Sequence, residues 1–172
     1  LFAMTEDATG LRWPRVGFGW DIHRLGPGRP LRIGGVEVPH DLGPISHSDG
    51  DVLLHAAIDA MLGAAGLDDI GTHFPDSDPA CADADSCDLL ASTLKLVAEA
   101  GYQPIQVDAT IVAEQPRLTD HKSKIRGRLA DLLKMDASAV GVKARTAEGT
   151  GEIGAGNAIA CYVVVMLIPI SS

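Results

Sequence analysis

The sequence predicts an α+β fold: a two-layer sandwich with helices on one face of a mixed sheet, in a ferredoxin-like arrangement. Strand-like and helix-like periodicities alternate along one chain of 172 residues, two long helical patterns occupy its middle, and two strands close it. With 46% hydrophobic residues the chain is large enough to build one proper core. Residues 1–14 are expected to be an extended or disordered lead-in, and residues 15–170 a single domain.

Arg15 to Ile22 reads as the first strand. Leu31 to Val38 alternates around Gly34-Gly35, a hairpin signature. A helical pattern then runs from about Asp49 to Ala65, with Gly66 as its stop and Ser48 or Asp49 able to cap its free amides. Asp68 to Asp85, rich in Gly, Pro and Asp, predicts a loop long enough to be functional. Ser86 to Ala100 predicts a helix ended by Gly101, Gln106 to Ala113 a strand, Lys122 to Lys134 a helix, and Val140 to Thr146 a strand.

The last strand, Ala158 to Ile168, is apolar on both alternating faces, whereas helices on one side of a sheet require only one apolar face. Identical subunits packing their sheets together in a closed ring would cover the second face. The same run is too short for a membrane helix, which needs about 20 residues.

A net charge of -9 argues against a nucleic-acid surface, and a polyanionic substrate would need metal ions. Cys81, Cys87 and Cys161 form an odd set without metal-ligand spacing, which suggests reduced thiols. No leader pattern or membrane-length run stands in the sequence, so a cytoplasmic location is expected.

Asp21 and His23, at i and i+2 on a strand, point to one face, and His55 on the following helix is positioned to join them. One carboxylate and two imidazoles suit a zinc-like ion held tetrahedrally with its fourth position open. Asp51, His55 and Asp59 recur at helical spacing, so Asp51 or Asp59 is a candidate to orient the second nitrogen of His55. An ordinary half-buried histidine on an amphipathic helix is the plainer alternative. In His47-Ser48-Asp49-Gly50-Asp51, capping accounts for Ser48 and Asp49 but leaves His47 free to meet a phosphate. Asp69 to Asp78 has the composition of a rim that accepts hydrogen bonds from sugar hydroxyls, or of a solvated turn. Arg145, Thr146 and Glu148 lead into a Gly-rich stretch; Glu148 is a candidate to hold a second divalent cation against a phosphate, with a plain loop as the alternative.

Gly17-Phe18-Gly19-Trp20-Asp21-Ile22-His23, Ile33-Gly34-Gly35-Val36, His47-Ser48-Asp49-Gly50-Asp51-Val52 with His55, Asp69-Ile70-Gly71 and Phe74-Pro75-Asp76-Ser77-Asp78 together resemble the 2-C-methyl-D-erythritol 2,4-cyclodiphosphate synthase family, over Arg15 to Ile168. The resemblance implies a lyase of the non-mevalonate isoprenoid pathway, which cyclises 4-diphosphocytidyl-2-C-methyl-D-erythritol 2-phosphate and releases CMP. It implies a homotrimer with active sites between subunits, zinc on Asp21, His23 and His55, and magnesium or manganese on Glu148. His47 and Thr146 would position phosphates and stabilise the transition state. Further substrate contacts would fall on Asp21, His23, Ser48, Asp69, Ile70, Gly71, Phe74, Asp76, Asp78, Arg145 and Glu148, with Ala113, Arg117 and Leu118 in a cytosine pocket from the neighbouring subunit. The chain departs from the family's pattern at Arg145 and Ala147, where threonines are common. It departs again at Ala155, where many relatives carry an arginine that lines the central cavity. A zinc-dependent phosphate-ester hydrolase and a non-catalytic oligomeric binding protein are the rival readings.

Overall fold

A computed structural model describes residues 12–75 and 84–170. The elements are β1 (Arg15–Gly26), a hairpin of β2 (Leu31–Ile33) and β3 (Val36–Val38), β4 (Gly43–Pro44), α1 (Val52–Ala65), α2 (Ile70–His73) and α3 (Ser86–Glu99). They are followed by β5 (Tyr102–Val112), α4 (Lys122–Leu133), a 3-10 turn (Ala137–Ala139), β6 (Val140–Arg145), α5 (Gly151–Gly154) and β7 (Ala158–Pro169). The expected helices and strands are present, with β1 running on to Gly26 and β5 starting earlier, at Tyr102. The short α2 and α5 fall in stretches expected to be loops. Among the described residues no helix is long and apolar enough to cross a membrane.

The mixed sheet has the order β4-β1-β7-β5-β6, with β7 antiparallel to both β1 and β5, and β5 parallel to β6. Helices α1, α3 and α4 cover one face. The α+β sandwich is therefore as expected, but the ferredoxin-like detail is not. The main elements run β-α-α-β-α-β-β rather than β-α-β-β-α-β. A single parallel crossover through α4 joins β5 to β6, and the doubly apolar β7 then enters the middle of the sheet, where both of its edges are paired.

Helix α1 packs on β1 almost backbone to backbone. Gly17 and Gly19 lie on the helix-facing side of β1, and a Cβ at these positions would sit 1.9 Å from the Ala60 carbonyl oxygen and 2.2 Å from that of Ala56. Side chains are excluded there by contact with main chain, which cannot move aside as a side-chain tip can. Alternation then sends Val16, Phe18, Trp20 and Ile22 to the outer face, all exposed in the single chain. Opposite them on β7, Tyr162 and Val164 are exposed too, and Tyr162 stacks between Phe18 and Trp20 with ring centroids 6.4 Å from each.

The cap of α1 is Asp51, not Ser48 or Asp49. Its Oδ1 accepts the amides of Leu53 and Leu54, and it also holds the hairpin turn: Gly34 donates to Oδ1 at 2.8 Å and Gly35 to Oδ2 at 2.7 Å. Both turn glycines have positive φ (63° and 71°), which lets two successive amides point at one carboxylate. Asp51 is fully buried, and burial raises its pKa even though the amides of Gly35, Gly34 and Leu54 favour the charged form.

Substituting Gly19 by Ala should lift α1 from β1, lowering stability by about 1–3 kcal/mol, as overpacking does, and weakening metal uptake by the neighbouring Asp21 and His23. Thermal denaturation and metal content after dialysis measure the two effects; retention of both would refute the packing account.

Candidate active site

Asp21 and His23 share the helix-facing side of β1 with the two glycines, one and two alternations further along, and His55 reaches them from the first turn of α1. His23 Nε2 lies 3.0 Å from Asp21 Oδ2, His55 Nδ1 3.1 Å from the same oxygen, and the two nitrogens are 3.2 Å apart. Three zinc ligands at tetrahedral positions about 2.0–2.1 Å from the ion would be about 3.3 Å apart. The nearly equilateral triangle therefore fits such an ion, and this is the Asp/His/His group among the described residues whose donors converge closely enough for one. Burial opposes the charge of Asp21, but its hydrogen bonds and coulombic attraction to His23 and His55 hold its carboxyl well below the usual carboxylate range.

The second nitrogen of His55 is held by neither Asp51 nor Asp59. His55 Nε2 lies 2.9 Å from the Oγ of Ser86, the buried first residue of α3, and 3.3 Å from Ser48 Oγ. The Ser86 hydroxyl donates to Asp49 Oδ1, and its amide donates to Asp49 Oδ2. Asp59 instead accepts the amide of Ile70 at 2.8 Å, pinning the start of α2 to α1. The polar stripe of α1 thus splits into three tasks: a cap, a ligand and an anchor for the rim.

Beside the triangle is a cavity of about 330 Å³ lined by His23, His47, Ser48 and His55 with Ile45, Ser46, Ile70, Gly71, Phe74 and Leu89. The expected residues His47, Ser48, Ile70, Gly71 and Phe74 are thereby gathered around the ligands. Asp69 caps α2, accepting the Thr72 amide and hydroxyl at 2.9 and 2.8 Å, which lower its pKa. Asp76 and Asp78 lie outside the described residues.

Ala113, Arg117, Leu118, Arg145 and Thr146 line a separate cavity of about 310 Å³, with Glu114, Gln115, Pro116, Thr119, Lys122 and Ala144. Within one chain it does not merge with the first. Pairing Asp21 with Cys161, Cys161 with Ile111, and Val112 with Arg145 places both cavities at one end of the sheet. Strands β1 and β6, with two strands between them, are roughly 14 Å apart at the usual inter-strand spacing. Glu114 accepts the amides of Ala147 and Gly149 at 3.3 and 3.5 Å, and steadies a loop in which Glu148 adopts φ 52° and accepts a hydrogen bond from the Thr146 hydroxyl.

Sequence reasoning missed Ser86 and Glu114. Ser86 looked only like the start of a helix, because nothing local ties it to a histidine 31 positions earlier; Glu114 is bonded to a loop 33 positions later. The cysteines stay outside the chemistry: Cys81 lies outside the described residues, burial pushes the Cys87 thiol up to about 11, and burial raises that of Cys161 further still.

The YgbB family model matches residues 14–168. This chain belongs to the YgbB family. It is 50% identical over 152 residues to the 2-C-methyl-D-erythritol 2,4-cyclodiphosphate synthase of Symbiobacterium thermophilum, a match covering 88% of this chain and 97% of that protein. Its fold superposes on a solved 2C-methyl-D-erythritol-2,4-cyclodiphosphate synthase in a CDP-bound form with a TM-score of 0.84 and 35% identity, covering 90% of this chain and all of the other. It also resembles the bifunctional IspDF of Campylobacter jejuni (TM-score 0.88, 38% identity), where the match covers 92% of this chain and 43% of the longer one.

His55→Ala should lower zinc affinity at least 100-fold while leaving the fold intact, because the residue is a side-chain ligand at the mouth of a cavity. Isothermal titration with zinc, alongside circular dichroism, checks this; unchanged affinity in the variant would remove the metal centre.

Proposed function

We propose that this chain cyclises 4-diphosphocytidyl-2-C-methyl-D-erythritol 2-phosphate to 2-C-methyl-D-erythritol 2,4-cyclodiphosphate with release of CMP, as a cytoplasmic homotrimer of the non-mevalonate isoprenoid route. The observation that carries this reading is the Asp21–His23–His55 triangle in a chain half identical, over nearly its whole length, to a synthase of that name. The CDP-bound relative fits a cytidine diphosphate ligand.

The reaction needs no protein nucleophile. The substrate's 2-phosphate attacks its own β-phosphorus and CMP departs, so the protein has to position two phosphates in line and neutralise charge. Zinc bound by Asp21, His23 and His55 would act as a Lewis acid toward a phosphoryl oxygen, and magnesium or manganese on Glu148 would neutralise the diphosphate. His47, in the wall of the first cavity, donates to phosphate oxygens, and Ser48 adds a hydroxyl there. Ile70, Gly71 and Phe74 close the cavity over the erythritol portion, while Asp69 shapes that rim through its cap. Ala113, Arg117 and Leu118 receive the cytosine, and Thr146 and Arg145 hold the phosphates that link it to the sugar.

Two features support assembly. Trp20 is 53% and Phe18 61% exposed on a face that one chain leaves uncovered. The metal-side and nucleotide-side cavities also stand on different strands of one sheet end, so a ring that sets the first cavity of one subunit against the second of its neighbour completes the site. The rival hydrolase would use a metal-bound water, and the product separates the two.

Incubation of the zinc-loaded protein with the diphosphocytidyl substrate and Mg²⁺ should give CMP and the cyclic diphosphate in equal amounts by phosphorus NMR; an open-chain product would establish the hydrolase instead. Trp20→Glu should convert a trimer to monomers in light scattering and reduce turnover more than 100-fold, because each site would lose half its walls. A monomeric wild type, or a fully active monomeric variant, would refute the shared site.

A further inference from the structure

We propose that the buried hydroxyl of Ser86, itself held by Asp49, fixes the tautomer of His55 so that Nδ1 is the nitrogen offered to the ion. The inference rests on Asp21, His23 and His55 being metal ligands, and follows from counting protons. A serine hydroxyl has one proton and lone pairs that accept, and a carboxylate only accepts. The Ser86 proton goes to Asp49 Oδ1, so toward His55 the Ser86 oxygen is an acceptor. Its partner is His55 Nε2 at 2.9 Å, which must therefore carry the N–H. Without an ion Nδ1 also has an acceptor for a proton, Asp21 Oδ2 at 3.1 Å; an ion would displace that proton while Nε2 keeps its own for Ser86, so the lone pair offered is the one on Nδ1, the atom that faces Asp21 Oδ2 and His23 Nε2.

Burial makes the assignment firm. Ser86 has no exposed surface, so water does not replace either partner. Ser48 Oγ also approaches Nε2, but at the longer distance of 3.3 Å, and its proton has Ser46 Oγ within 3.4 Å as an acceptor. Asp49 in turn accepts the Asp51 amide at 3.3 Å, joining the relay to the cap of the helix that carries His55. Ser86 is thus a positioning residue, acting on the ion through an imidazole.

Cadmium-113 supplies the probe. In wild-type protein loaded with this ion, nitrogen-15 spectra should show coupling from the metal to His55 Nδ1 and a slowly exchanging proton on Nε2. In Ser86→Ala the Nε2 proton should exchange faster, and affinities for zinc and cadmium should fall about 10–100-fold, as outer partners of metal-bound histidines generally require. A purely structural serine would lower the melting temperature of the metal-free form without altering affinity or that proton. Coupling to Nε2 in the wild type, or zinc binding by a folded variant within twofold of wild type, would overturn the proposal. The wild-type spectrum decides the matter even if the variant does not fold. Should the protein bind neither ion, the metal reading fails separately. The relay itself is then read from the Ser86 contact in metal-free protein, where a slowly exchanging proton on Nε2 supports it and the absence of one sinks it.

Discussion

The close approach of α1 to β1 is the constraint on which the rest depends. With side chains at Gly17 and Gly19 the helix axis would stand further from the strand, and His55 would no longer meet Asp21 and His23 at hydrogen-bonding distance. A triangle of candidate metal ligands with edges of 3.0–3.2 Å tolerates little displacement of one corner. Two residues without side chains therefore set the geometry of three residues whose side chains do the work.

Around that contact, buried and half-buried polar groups serve as fixed joints. Asp51 ties the β2–β3 turn to the start of α1, Asp59 ties the α2 rim to its middle, and Asp49 ties it to α3 through Ser86. Each joint links segments that hydrophobic packing alone would leave free to slide, and each uses amide or hydroxyl donors at the end of an element, where unpaired groups are available. The walls of the first cavity are thus attached to one helix from three directions.

Much of this was legible in the sequence because the relevant periods are local. The alternation of β1 puts Asp21 and His23 on one side, Gly66 stops α1 where expected, and the Gly34-Gly35 pair marks the hairpin. The apolar run Tyr162 to Ile168 signalled a strand, and Tyr162 and Val164 are exposed on its face away from the helices, although the run could not reveal that β7 inserts between β1 and β5, which displaces the ferredoxin-like order. The identity of the α1 cap was misread because Ser48, Asp49 and Asp51 are all capable acceptors, and only the position of the distant hairpin turn selects among them. Ser86 escaped notice for the same reason: its meaning lies in a contact between helices.

The glycines of β1 also leave that strand lopsided. Having surrendered bulk toward α1 at positions 17 and 19, β1 carries its large apolar groups, Phe18 and Trp20 among them, on the outside, and in one chain it is anchored by its main-chain ladder to β7 and its backbone contact with α1. The strand that carries two of the three candidate ligands would therefore gain most of the burial of its large side chains from a subunit set against its far side. In the proposed assembly, metal retention and subunit association would be two readings of one equilibrium: dilution that strips the outer cover would also loosen the grip on the ion.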